Sequence, residues 1–458
     1  MLYIKFVIVL SLFCLSCYLF HRASTTLNPG KLNIVSYAFY LFVIPSFIGA
    51  SLVYLGWDQH YMIAKITDKD TIGKTYFLIS ATAIILPLSM IVWAKLFKVN
   101  TKLEYNNYLE KETKVDGEKS IFVVTLLVAI VCLFFTGLMF VKMGSIPLLD
   151  LVLGRDGSHI SSDRIAISTG NAMNPYIRNL VVLTFTPILS YLAYVFALST
   201  NKKRWYTLFA VLFVASVFIK TYNYAKSPLA FYIFAFVIIY IVVRGSIPIK
   251  KLAVVVGVCG FTILFMYFKN GFSLSQMFDI YNGPLGRTLF TQVGTLFLHV
   301  DLFPQYIPFL EGRSFSPSIL SLFTDGWEHF RSGLVTMHFY APEKVVEGIA
   351  GVMNTLFVGE AYANFGMKGA LLSIVYVGFV IKSVLLLLIK TKKTPINITI
   401  YIILTTLLVN ATQGGFTDFV YNSSIIFSVA FVLIIKVTAI YVDKFKVLDR
   451  INVSDKLK

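Results

Sequence analysis

Charge is what this chain has least of. Only 14% of its residues are Asp, Glu, Lys or Arg, where soluble domains carry about a quarter. So few charges cannot clothe a water-facing surface, and a soluble globular fold is excluded. Cysteine is scarce too: Cys14, Cys17, Cys132 and Cys259 all fall inside apolar runs. That placement excludes a disulfide framework and a zinc pattern. Cys14-Leu-Ser-Cys17 has the spacing of a redox pair but lies in mid-run. There is no Walker loop, no GxGxxG behind a strand and no Gly-x-Ser-x-Gly elbow, so ATP-driven and dinucleotide chemistry are unsupported. No internal repeat is visible, which argues against a secondary transporter built from inverted repeats.

What is present is apolar sequence, 57% of 458 residues. About 20 apolar residues cross a bilayer as a helix. The candidate spans are 2–20, 33–56, 75–97, 120–141, 176–199, 205–221, 227–243, 252–268, 367–389, 396–411 and 423–441. They predict an all-α polytopic membrane protein with about 11 transmembrane helices. The first segment carries one charge, Lys5, and reads as a retained span rather than a cleaved signal peptide.

The formal charge of +17 would suggest nucleic acid in a soluble protein. Here it reads as topology, and no nucleic-acid partner is expected. Lys202-Lys203-Arg204, Arg244 with Lys250-Lys251, and Lys390 with Lys392-Lys393 lie in short alternate loops, as cytoplasmic Lys and Arg do. The mixed loop 98–119 and the basic stretch Lys444 to Lys458 fall on the same side. The opposite side takes the N-terminus and residues 57–74, 142–175, 222–226, 269–366 and 412–422. Three parts follow: an N-terminal helix bundle over 1–268, a large extracytoplasmic cap over 269–366, and C-terminal helices with a cytoplasmic tail over 367–458.

The long polar and aromatic sequence crowds that outer side. Loops beyond about 15 residues are usually functional or disordered; Trp327 and the many Phe and Tyr of the cap give it the composition of a folded element. Residues 286–300, GRTLFTQVGTLFLHV, set Leu289, Val293, Leu296 and Val300 on one helical face and Arg287, Thr291, Thr295 and His299 on another. This predicts an amphipathic helix in the membrane interface with its polar edge towards a cavity.

Outer cations are candidates for phosphate recognition, arginine because its planar fork matches phosphate oxygens. Arg287 opens the amphipathic helix, and Lys226 sits in a turn between two short spans. Arg155 and Arg164 lie in LGRDGSHISSDRIAISTG, and Arg313 and Arg331 in the cap. The plainer readings are headgroup snorkelling for Arg287 and a self-paired solvated loop for 153–170. Five bases face seven acids across 269–348, so total charge does not demand an anionic ligand.

For proton transfer the outer-face candidates are Glu360, His299, His329, His338 and Asp418. Glu360 stands at the membrane border in VGEAYANFG, four residues from Asn364 and on the same helix face. The structural alternative is an ordinary interfacial helix end. Asp68-Lys-Asp70 is a lone DxD and reads as a loop ion pair with neighbouring lysines rather than a metal site.

The run Leu356-Phe-Val-Gly-Glu360-Ala-Tyr362-Ala-Asn364-Phe-Gly366-Met-Lys-Gly369 resembles the GE-x-Y-x-N-F-G segment of Wzy-type O-antigen and oligosaccharide repeat-unit polymerases. Tyr222 to Leu229 resembles that family's outer hairpin, with Lys226 where arginine is usual. Arg287, Phe303-Pro304 and Phe309-Leu-Glu-Gly312-Arg-Ser-Phe315 resemble its large outer loop, although the Ile-Pro-Arg tract of many members is missing. The resemblance implies a GT-C-like membrane glycosyltransferase in the bacterial plasma membrane, its active site facing outwards. It would transfer undecaprenyl-diphosphate-linked oligosaccharide onto the next lipid-linked repeat unit, with no metal and no cofactor.

In that frame Arg287, Lys226, Arg155, Arg164 and Arg313 hold the diphosphate, and Glu360 or His299 serves as base. Tyr362, Asn364 and Trp327 meet sugar. Partners would be the lipid-linked oligosaccharide, membrane lipid and, as a candidate, a polysaccharide chain-length regulator. The rival readings are an O-antigen ligase, a non-enzymatic flippase of lipid-linked oligosaccharide, and a structural or regulatory partner in polysaccharide export. The nearly charge-free helix interiors speak against the flippase.

Overall fold

The computed structural model describes residues 2–144, 146–153, 173–225, 227–269, 273–281, 283–324, 326–348 and 350–445. The main helices are α1 (Leu2–Ser24), α2 (Ile34–Tyr54), α3 (Asp70–Leu96), α4 (Thr101–Glu110), α5 (Glu118–Met143), α6 (Ile177–Thr200) and α7 (Lys203–Lys220). They continue with α8 (Ser227–Arg244), α9 (Ile249–Lys269), α10 (Gln292–Leu302), α11 (Ser332–Tyr340), α12 (Phe357–Lys390), α13 (Pro395–Gly414) and α14 (Ser423–Lys444). Among the described residues there is no strand, and ten helices are long and apolar enough to cross a membrane. The chain is therefore an all-helical, multi-pass membrane protein. The expected span 205–221 is α7; it stands apart from those ten because its 18 residues hold Lys203, Arg204 and Lys220.

Local chemistry sets the helix ends and irregularities. Thr394 caps α13 by accepting from Asn397 N, and Pro395 stands in the first turn, where its missing N–H costs nothing. Within α2 the turn Phe39–Val43 is π-helical, just ahead of Pro45. Pro45 has no N–H for the Leu41 carbonyl, four residues back. Gln413 Nε2 donates to that carbonyl instead, at 2.9 Å, and so ties the end of α13 to α2.

Two main buried apolar regions hold the bundle, with a small third where α5, α6 and α7 meet at Met139, Val182 and Ile219. The larger unites α1 to α3, α8, α10, α12 and α13. The smaller packs α5, α6, α7, part of α13 and α14 around the fully buried Trp205. α12 runs against α3, and Gly378 marks a close approach: a Cβ there would meet the Ser89 hydroxyl and lie 2.9 Å from Leu86 O.

The loops sort to two ends. At one end, Lys393 Nζ donates to Leu109 O at 2.9 Å and Lys111 O at 2.7 Å. There too Arg244 Nη2 bonds Asn201 Oδ1 at 2.9 Å, Lys390 pairs with Glu104, and Arg204 pairs with Glu118 at 2.6 Å. These are the short basic loops. At the other end meet residues 57–71, 283–324, 326–348, 350–356 and 414–422, joined for instance by Thr71 Oγ1 donating to Asp301 at 3.1 Å.

The helix expected over 286–300 is present, as a π turn Arg287–Thr291 running into α10. It does not lie in the interface. Every residue from Val293 to Leu302 is buried, because α10 is enclosed by α2, α3, α11 and α12. Its polar members find partners inside: Asp301 also accepts from Tyr340 Oη at 2.7 Å and Asp68 N at 3.2 Å. The expected boundary at 366 falls inside α12, at Gly366, whose backbone leaves the helical region at φ 64°.

Gly378→Val should force α12 and α3 apart. An overpacking cost of about 1–3 kcal/mol is expected. Thermal unfolding of the purified protein in detergent should show a melting temperature several degrees lower; an unchanged melt would contradict the close packing.

Candidate functional site

The polar end of α12 builds a site from two residues one turn apart. The break at Gly366 interrupts the helical ladder and releases the carbonyls of Ala363 and Asn364. Leu310 N takes the first at 2.9 Å and Glu311 N the second at 3.0 Å, so the loop 310–314 docks onto the broken turn. The Asn364 side chain completes the docking. Its Oδ1 accepts from Gly312 N at 3.0 Å, and its Nδ2 donates to Ser314 Oγ at 2.6 Å and to Glu360 O at 2.8 Å.

Glu360 ties in the other wall. Its Oε2 accepts from Thr417 N at 2.9 Å and Thr417 Oγ1 at 3.1 Å. Two glycines make this possible. A Cβ on Gly415 would collide with the Glu360 carboxylate, its Cδ lying 2.9 Å away. A Cβ on Gly414 would lie 2.8 Å from Asp418 Oδ2. The pair at the end of α13 thus leaves room for two carboxylates.

Between these walls lies a cavity of about 320 Å³. Glu360, Asp418, Arg331, His329, Asn354, Ser314, Ser316, Thr355, Thr417 and Tyr421 are among its lining residues. Glu360 is buried at 6% exposure, whereas Asp418 is half-buried. Arg331 Nη2 donates to Asn354 Oδ1 at 2.9 Å, and its charge acts on Asp418 across the cavity. His329 Nδ1 bonds Phe315 O at 2.8 Å. The hydroxyls of Ser316 and Thr355 are buried and bond to no described residue. Both oxygens are sealed from solvent, Thr355 Oγ1 lying against Gly359, so neither faces the open cavity.

A second space adjoins the first. An apolar groove of about 710 Å³ runs between α12, α13 and α14, past Tyr376, Phe379, Val380, Leu387, Leu404, Leu408 and Ile425, to Trp93 on α3. Asp418 and Tyr421 line both spaces. The stretch from Tyr376 to Leu387 represents about 16 Å of helix.

The expected site residues are thus divided. Glu360 is in the cavity wall. Asn364 spends its hydrogen bonds on the loop 310–314 and is held from a sugar by that role. Tyr362 is buried edge-on against Phe309, with ring centres 5.8 Å apart. Arg313 lies over the exposed Trp327, its guanidinium 5.4 Å from the ring centre, next to the cavity-lining Ser314. Arg287 is exposed at the start of its π turn and does not line the cavity.

His299 is fully buried between α10 and α11, with Nδ1 bonded to Thr295 O at 2.7 Å and Thr336 beside the ring. Burial pushes its pKa down to about 4 and leaves it no open face, so it is not placed to act as a base on a bound ligand. Asp68 of the DxD pairs with Lys74 at 3.5 Å. Arg155, Arg164 and Lys226 lie outside the described residues.

Arg331, Asn354, Ser316 and Thr355 enter the site without a sequence signal that singles them out as a group. Only Gly414-Gly415, two glycines closing a membrane-length helix four residues before an acid, could have pointed to the second wall. The fold and site together define a multi-pass helical membrane protein with an acidic, hydroxyl-lined cavity at one end. The chain matches no family model, no curated protein and no solved structure.

Two measurements test this geometry. Gly415→Ala should displace the Glu360 carboxylate and lower the melting temperature by several degrees, a cost of about 1–3 kcal/mol. Gly257→Ala, where a Cβ meets nothing within 4 Å, should not. His299 binds a proton more readily unfolded than folded, so stability should rise with pH between about 4 and 6.5, with this contribution wholly lost below about 4. On the order of 3 kcal/mol rides on this group. His299→Gln should flatten the dependence in denaturant titrations across that window.

Proposed function

We propose that this protein is a polysaccharide polymerase, a glycosyltransferase of the outer face of the bacterial plasma membrane. It transfers undecaprenyl-diphosphate-linked oligosaccharide onto the next lipid-linked repeat unit. One observation carries the reading: the polar cavity and the apolar groove meet at Asp418 and Tyr421. A molecule with a hydroxyl-rich head on a long hydrocarbon chain suits that pair of spaces, and a soluble sugar or a plain fatty chain suits only half of it.

The cavity wall suits the chemistry as well. Acceptor hydroxyls need a base within hydrogen-bond reach, and carboxylates, serines and threonines are the groups that bind sugar hydroxyls. The leaving diphosphate needs fixed positive charge where its own charge develops. Arg331 is the cavity's cation, and Arg287 and Arg313 belong to the same end of the bundle. That end faces outwards if the short basic loops at the other end are cytoplasmic, as basic loops generally are.

The length distribution of surface polysaccharide in a deletion strain, resolved on a gel, tests the reading. The expected result is a ladder collapsed to one repeat unit on its acceptor, with lipid-linked single units accumulating in the outer leaflet. Loss of surface polymer with lipid-linked chains still long would make the protein a ligase. Loss of single units from the outer leaflet would make it a flippase, and an unchanged ladder would overturn the reading altogether. Arg331→Ala should cut polymer output by about 10²-fold or more with the protein still accumulating, as removal of a group stabilising transition-state charge does.

A further inference from the structure

Two carboxylates share the cavity, and the chain treats them differently. Glu360 is committed. Its Oε2 holds the backbone and side chain of Thr417, and its Cδ lies where a side chain on Gly415 would begin. It is nearly sealed from solvent. Ser314 adds a further hydrogen bond to the carboxylate, so little of the group is left open to a ligand.

Asp418 is uncommitted. It accepts no hydrogen bond and makes no ion pair within 4.0 Å with any described residue, although it is half-buried. It lines both the cavity and the groove, where a sugar hydroxyl in the cavity could reach it. Gly414 leaves open the space its Oδ2 occupies. The charged or titratable groups facing the same cavity are Glu360, Arg331, His329 and Tyr421. Two acids against one arginine also make the cavity a poor host for a diphosphate and a good one for a hydroxyl donor.

We propose that, on the polymerase reading above, this cavity is the acceptor site, with Asp418 as the catalytic base and Glu360 as a positioning residue acting through Thr417. In the transfer, the acceptor oxygen bonds to the anomeric carbon of the donor sugar. The bond from that carbon to the diphosphate oxygen breaks, and its electron pair leaves with the prenyl diphosphate. The acceptor hydroxyl proton passes to the Asp418 carboxylate.

The test complements a deletion strain with full-length variants and reads three quantities: the surface polysaccharide ladder, protein abundance, and melting temperature after purification. Asp418→Asn should reduce polymer by about 10²- to 10⁴-fold, the usual worth of a general base, at normal abundance and melting temperature. Asp418→Ser serves as a second variant should the amide disturb the turn.

Glu360→Gln keeps an oxygen for Thr417 and should keep a ladder at several-fold lower output. Glu360→Ala should lose both polymer and several degrees of melting temperature. Rescue by glutamine but not alanine separates positioning from proton transfer. A normal ladder in Asp418→Asn and Asp418→Ser would overturn the proposal. So would a Glu360→Gln variant as inactive as Asp418→Asn at normal abundance and melting temperature. If the deletion strain itself has a wild-type ladder, the polymerase reading fails rather than this assignment.

Discussion

A buried carboxylate oxygen that accepts two donors from a turn more than fifty residues away organises one whole end of this bundle. Hydrogen bonds to a charged group contribute roughly 1.5–3 kcal/mol, and leaving such a group unpaired inside a protein costs more. Glu360 therefore fixes the turn 415–418 against α12. One helical turn on, Asn364 does the same for the loop 310–314 from the other side. The two walls of the cavity hang from two residues of one helix end. That end is available only because Gly366 breaks the helix and frees the carbonyls that the loop needs. Gln413 anchors the opposite wall in turn, at a carbonyl that Pro45 cannot serve.

This arrangement has an electrostatic consequence. Two acids close together in a poorly solvated space repel one another, and they repel an anion more strongly than water-exposed acids would. On the proposed reading a phosphorylated leaving group would sit by the cations, Arg331 in the cavity wall and Arg313 over Trp327. The wall that carries Glu360 and Asp418 suits neutral donors of hydrogen bonds. Sugar hydroxyls are such donors. On that reading charge would sort the two ends of a glycosyl transfer within one site, without requiring the cap as a whole to be basic.

How much of this was legible in the sequence depended on the range of the interactions. The spans were legible because a bilayer selects apolar length, a property of consecutive residues; α7 departs because three cations fall within its 18 residues. The helix over 286–300 was legible from its period, but its burial was not. Asp301 and His299 look like a polar edge until Thr71, Asp68, Tyr340 and Thr336 are folded around them. Glu360 and Asn364 were legible as a pair four residues apart at a membrane border. Their roles were not, since both partners, Thr417 and the loop 310–314, lie some fifty residues away in either direction. Asp418 and Arg331 are 87 positions apart, and no local pattern joins them.

The junction of groove and cavity constrains how a ligand can arrive. A hydrocarbon chain gains about 0.8 kcal/mol for each CH₂ kept from water, so a membrane-tethered molecule does not leave the bilayer to find its site. It must enter sideways, chain first or chain alongside. The groove between α12, α13 and α14 is walled by helices long and apolar enough to cross the membrane, and on the proposed reading it would bring a head group to the cavity. There the head would meet the Asp418 carboxylate, with Glu360 held behind its hydrogen bonds to Thr417. A rigid acid behind a free one is a sensible division of labour. The first holds the turn in register while the second can gain and lose a proton without the wall moving.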